Sequence, residues 1–145
     1  MIALADVQTR LAAALVPDTL KGVDLLGELP GALDQMKGSP WAFVMPSQDR
    51  AGPDTMGTVE VRQRVVQQFA VLICFFGIGN LAAAQLSNID TIRAAVRAQL
   101  VGWLPNPSDS GDPITYLGGK IVVADFDRSL IIWGEEFAGI YYVRA

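Results

Sequence analysis

The chain has 145 residues, 51% hydrophobic and 18% charged, with a formal net charge of −4, one cysteine and no histidine. That length suits a single domain over residues 1–145, with apolar content enough for one core and some left to bury against other chains. Without histidine there are no imidazole metal sites and no histidine catalysis; a lone Cys74 excludes an intramolecular disulfide; and acidity without a basic block argues against a dedicated nucleic-acid binder.

The opening MIALADVQTRL lacks a basic n-region and an apolar h-region, so no signal peptide is expected. Helical spacing of Leu4, Val7, Leu11 and Leu15 predicts a first helix over Ala3–Val16, ended by Pro17. Gly22–Leu26 reads as a short strand, and Ala32–Lys37 as one helical turn after Pro30–Gly31. Prolines bound a strand of Trp41–Met45 in PWAFVMP. The following SQDRAGPDTMGT has loop composition and is longer than a tight hairpin needs, so it reads as the projecting tip of a long hairpin.

The stretch Val59–Phe76 organises the chain. Glu60, Arg62, Arg64, Gln67 and Gln68 alternate with valines, and from Phe69 the run is continuously apolar. That pattern predicts a long strand, exposed on one face at first and covered on both later. Its polar half overhangs what the domain core needs, and an exposed edge of that length invites aggregation unless something covers it, as a neighbouring subunit can. No charge occurs between Arg64 and Asp90, a length that would span a bilayer. Gln67–Gln68, the break at Gly77–Asn80 and the strand-forming residues favour strand, turn and helix start, so no membrane span is expected.

G-I-G-N lacks the third glycine of a dinucleotide loop and reads as a turn with Asn80 as N-cap. A second helix over Leu81–Trp103 carries the stripe Leu86, Ile89, Ile92, Val96 and Leu100, with Asp90 and Arg93 spaced to pair. Asn106–Asp112 is a polar loop, Lys120–Ala124 a strand and Asp125–Ser129 a turn. Leu130–Arg144 is a long strand, or a strand with a bulge at Gly134. The fold class expected is α+β: a mainly antiparallel sheet, two helices packed on one face, and a long hairpin arm.

Candidate carboxylates are Glu60, Asp125, Asp127, Glu135 and Glu136. Asp125 and Asp127 flank Phe126 in a turn, where Asp bonds nearby backbone. Glu135 and Glu136 read as a solvated edge or as half of an interface ion pair with Arg50, Arg62 or Arg64. No nucleophile motif, phosphate loop or metal spacing is present, so no cofactor is expected.

Three stretches then carry a resemblance: DRAGPDTMGTVEVRQRV (Asp49–Val65), IRAAVRAQLVGW (Ile92–Trp103) and LIIWGEEFAGIYYVR (Leu130–Arg144). With PWAFVMP they resemble the tail terminator proteins of long-tailed bacteriophages, of the small lambda-like type. The resemblance implies a structural virion protein at the head-proximal end of the tail, assembled in the host cytoplasm. It implies a homohexameric ring that caps the tail tube, stops its growth and presents the head-joining surface. Its partners would be itself, the tail tube protein and a head–tail connector protein, with DNA passing through the lumen without specific binding. No catalytic residues are carried over. The implied subunit or tube interface lies around Asp49–Gly57 and the polar strand start: Asp49, Arg50, Asp54, Glu60, Arg62 and Arg64. Trp133, Glu135, Glu136 and Phe137 join it as ion-pair partners and buried area. Other readings are another neck or tail-completion protein, a small nucleotide-binding enzyme or hydrolase, and a membrane-associated protein.

Overall fold

Helix α1 (Leu4–Leu15) is followed by strands β1 (Gly22–Leu25), β2 (Trp41–Asp54) and β3 (Arg62–Phe76), helix α2 (Ala83–Leu100), and strands β4 (Thr115–Asp125) and β5 (Leu130–Arg144). The computed structural model describes residues 1–26, 36–54, 62–76, 83–105, 112–125, 127 and 130–144. The strands form one five-stranded sheet in the order β1-β2-β3-β5-β4. Only β1–β2 is parallel; β2–β3, β3–β5 and β4–β5 are antiparallel. This is the expected α+β class.

Side-chain parity divides the sheet. Phe69, Val71, Ile73 and Phe75 of β3, with Ile131 and Phe137 of β5, share a buried cluster with Val7, Leu11 and Leu15 of α1 and Ile89, Ile92, Val96 and Leu100 of α2. Both helices therefore lie on that face. Phe69 and Phe137 are paired across the ladder, and their rings stack at 5.6 Å. A second cluster of Leu26, Phe43, Leu72, Cys74, Leu130 and Ile132 occupies the opposite face.

The helix ends follow from local chemistry. α1 leaves the helical region at Val16, just before Pro17. α2 is closed by Gly102 at φ +82°, a left-handed position that suits glycine. Gly102 N–H then donates to Ile114 O, and Ile114 N–H to Trp103 O, each at 2.9 Å, fixing β4 to the exit of α2. Arg10 Nε donates to Gln99 O at 2.7 Å, placing a cation of α1 at the carbonyl end of α2.

Three expectations change. β2 does not stop at Pro46; it continues to Asp54, so much of the expected loop is strand. The ladder slips between Pro46 and Gln48, and such an irregularity is where a strand tolerates the missing N–H. Second, the polar half of β3 is no open edge. Arg50 pairs with Val66 and Asp54 with Gln63 on one side, and Arg62 pairs with Arg144 on the other. The chain's own β2 and β5 cover the overhang. Third, β4 runs beyond Lys120–Ala124 and carries slips at Tyr116/Gly118 and Ile121/Val123, while β5 pairs with β3 without a bulge at Gly134. The helical turn expected over Ala32–Lys37, the Asn80 cap, the Asn106–Asp112 loop and the Leu86 side chain fall largely or wholly outside the described residues.

Leu11 and Ile89 bridge helices and sheet in the larger cluster. Leu11→Ala and Ile89→Ala should each cost about 2–5 kcal/mol in urea unfolding. An unchanged midpoint for both would take that helix face out of the core.

Candidate functional site

The polar ends of the three longest-paired strands form an extension: Gln48–Asp54 of β2, Arg62–Gln68 of β3 and Ala138–Arg144 of β5. Its root is clamped from the helix side. Gln67 is buried, its Oε1 accepts from Ile2 N–H at 2.8 Å, and its Nε2 donates to Ile2 O at 3.0 Å. Gly139 faces Ile2 so closely that a Cβ there would sit 1.9 Å from Ile2 Cδ1. Farther out on this face Tyr141 Oη donates to Asp49 Oδ2 at 2.9 Å. Burial, and then the Asp49 carboxylate, raises the Tyr141 phenol pKa.

The opposite face of the extension is basic. Register places Arg50, Arg62, Arg64 and Arg144 there, with Gln48, Val66, Gln68, Ile140 and Tyr142. The Arg62 guanidinium lies 4.6 Å from the Tyr142 ring centroid, and Gln48 Nε2 donates to Gln68 Oε1 at 3.1 Å. Arg50, Arg64 and Arg144 are exposed. Among the described residues no Asp or Glu shares this face from Gln68 outward. Glu136 lies nearer the sheet centre, lining a shallow hollow of about 360 Å³ with Met45, Pro46, Ser47, Ala70, Leu72 and Val122.

Glu135 points the other way, toward the helices, and is fully buried. Arg93 of α2 donates from Nε to Glu135 Oε1, and Trp133 Nε1 donates to the same oxygen at 2.8 Å. Arg93 also stacks on Trp133 at 4.2 Å, reaches Tyr116 Oη at 3.5 Å, and pairs with exposed Asp90 at 3.5 Å. Burial works against the Arg93 charge, but Glu135 and Tyr116 outweigh it, so its pKa is raised. Burial first, then Glu135, raises the Tyr116 pKa. A Cβ at Gly119 would fall 2.8 Å from Trp133 Nε1, 2.9 Å from Glu135 Oε1 and 3.0 Å from Tyr116 Oη, so glycine lets β4 close over the cluster.

The residues singled out in the sequence therefore separate. Asp49, Arg50, Arg62 and Arg64 gather on the extension, and Asp54 pairs with Gln63 at its end. Glu60 lies outside the described residues. Glu135 finds its cation within its own chain, in Arg93 rather than Arg50, Arg62 or Arg64, and Phe137 is wholly interior. Trp133 is half-buried against Arg93. Sequence reasoning paired Arg93 with Asp90 and missed Glu135. The signal was present: Glu135 shares parity with Phe137, and Arg93 directly follows Ile92 of the buried stripe.

Cys74 is buried, and burial pushes its thiol up to about 12, far from a thiolate nucleophile. Among the described residues no three metal-ligating side chains gather, and no helix is long and apolar enough to cross a membrane.

Removing Arg93 would strand a buried carboxylate. Arg93→Ala should cost about 3–5 kcal/mol in urea unfolding, whereas a loss below about 1 kcal/mol would make the pair superficial. Cys74 should resist thiol reagents at pH 8 in the native protein and react once unfolded; rapid native labelling would contradict its placement.

The comparisons with known proteins bear on the whole chain. No sequence among curated proteins matches it. A chain in the solved virion of a native gene transfer agent particle shares the fold, with a TM-score of 0.58 at 16% identity over 97% of this chain and 94% of that one. The family described as phage tail terminator protein matches residues 1–145. A match spanning every element from α1 to β5 makes the chain a member of the phage tail terminator family, and so a structural protein of a phage-type tail.

Proposed function

We propose that this chain closes as a homo-oligomeric ring, of six copies, on the head-proximal end of the tail tube. There it stops tube polymerisation, offers the surface that joins the head, and leaves a central passage for DNA. Its partners are other copies of itself, the tail tube protein and a head–tail connector protein, and it is assembled in the host cytoplasm. The observation that carries this reading is the family match over residues 1–145. The polar extension supports it, because it supplies a surface with exposed charge on three paired strands.

The contact surface in this reading comprises Asp49, Arg50, Asp54, Glu60, Arg62 and Arg64, with Glu136 at its inner margin; Trp133 stands apart, on the helix side beside Arg93. Glu135 and Phe137 support it from the interior. The protein works without catalysis and without a cofactor. An overall acidic chain meets DNA by repulsion more than by capture, so any duplex contact is weak, salt-sensitive and indifferent to sequence.

Phage lacking the chain should make overlong tails, or tails that fail to join heads, by electron microscopy of lysates. Arg62→Glu should reproduce that phenotype in milder form. Normal tails of uniform length without the chain would remove the terminator reading.

A further inference from the structure

We propose that the segment Met1–Ala3 is a latch on the polar extension. Gln67 and Gly139 grip Ile2, and releasing that grip loosens the outer ladder of β3 and β5 while the apolar half of the sheet stays closed. What the extension meets rests on the reading given above; the latch rests on geometry.

Gln67 and Gly139 are direct cross-strand partners, so both parts of the grip belong to one rung of the β3–β5 ladder. On the β3 side, the Gln67 amide accepts from Ile2 N–H at 2.8 Å and donates to Ile2 O at 3.0 Å. A side chain thereby gives Ile2 the two-point pairing that a neighbouring strand would give. On the β5 side, an added Cβ at Gly139 would overlap Ile2 Cδ1, and Ile114 Cγ1 stands 3.8 Å from the same point. The glycine is a notch that the isoleucine fills. Ile2 and Gln67 are both buried. Breaking either bond alone strands a buried polar group, so the grip closes and opens as a unit.

The rung is also a boundary. Just inside it, Phe69 and Phe137 belong to the larger core cluster, which holds Ile2 as well. Outside it, over residues 62–66 and 140–144, no side chain belongs to either cluster. Strands without a core of their own are marginal in water and open locally at low cost. The helix-side face of this outer ladder offers buried Val65, then Tyr141 bonded to Asp49, then exposed Val143. Ile2 stands two residues before Leu4, where α1 begins. The order of the strands that carry Arg62, Arg64 and Arg144 is thus tied to the helical layer. A partner meets a surface already ordered, and its binding does not have to supply that ordering.

Hydrogen–deuterium exchange of the purified full chain, read by mass spectrometry, tests this. Gln67→Met removes both bonds to Ile2, and Gly139→Val fills the notch. Each should keep the circular dichroism spectrum and speed exchange of residues 62–66 and 140–144 by about tenfold, with Val71–Cys74 unchanged. Valine forms strands better than glycine, so a ladder held by its own pairing alone would exchange more slowly in Gly139→Val. Leu11→Ala, which weakens the core and leaves both grip residues intact, should speed the two halves alike. Unchanged or slower exchange of the outer ladder in either folded variant overturns the latch, and so does an equal rise in both halves. A rise confined to the outer ladder in Leu11→Ala overturns it too, by making that response general. Because the assay reads the purified chain, its failure removes the latch alone, while tail length in the phage decides the terminator reading.

Discussion

Strand β3 pairs with β5 at every residue from Arg62 to Phe76, and with β2 from Gln63 to Cys74 apart from two slips. A strand paired on both sides cannot shift by one residue without turning its buried set out to water. Here the penalty is unusually strict, because both faces of its second half are buried. Phe69, Val71, Ile73 and Phe75 serve the helix side, and Leu72 and Cys74 the other. Fixing β3 fixes the whole sheet, and with it the side of the extension on which each arginine stands. The polar half is thus held in register by the apolar half that continues it.

The helical layer is registered on that sheet by shape and by the Arg93–Glu135 ion pair. Apolar stripes alone define an angle poorly, since leucine and valine pack in many ways. Arg93 adds a directional restraint, because Glu135, Trp133 and Tyr116 receive it from two different strands. A buried pair of this kind is seldom a net source of stability, but its loss on one side is costly. Its contribution here is to the placement of α2 over β5 and β4, a specificity role that a double-mutant cycle would apportion.

Much of this was legible from residue order. The alternation and apolar run of Val59–Phe76, the leucine stripe of α1 and the unbroken Leu130–Arg144 have periods that belong to one kind of element. What the sequence hid was pairing. Proline and glycine between Pro46 and Asp54 read as loop, and only the register slip beside Pro46 reconciles them with a strand. The polar start of β3 looked like an uncovered edge because the β2 segment beside it reads as loop, and nothing local pairs it with Leu130–Arg144. For the basic face of the extension, alternation showed that Arg62 and Arg64 share a side, but nothing local shows that Arg50 and Arg144 arrive beside them. Parity likewise set Glu135 with Phe137, yet the helix that supplies its arginine is distant in sequence.

One edge of the sheet is β4, where Leu117 and Ile121 are exposed. An edge with apolar side chains would ordinarily template another strand and extend into fibres. The slips at Tyr116/Gly118 and Ile121/Val123 change the spacing of its ladder twice. An incoming strand would have to reproduce both changes to continue hydrogen bonding, which a regular strand does not do. Backbone-to-backbone growth from this edge, which has no natural stopping point, is thereby disfavoured.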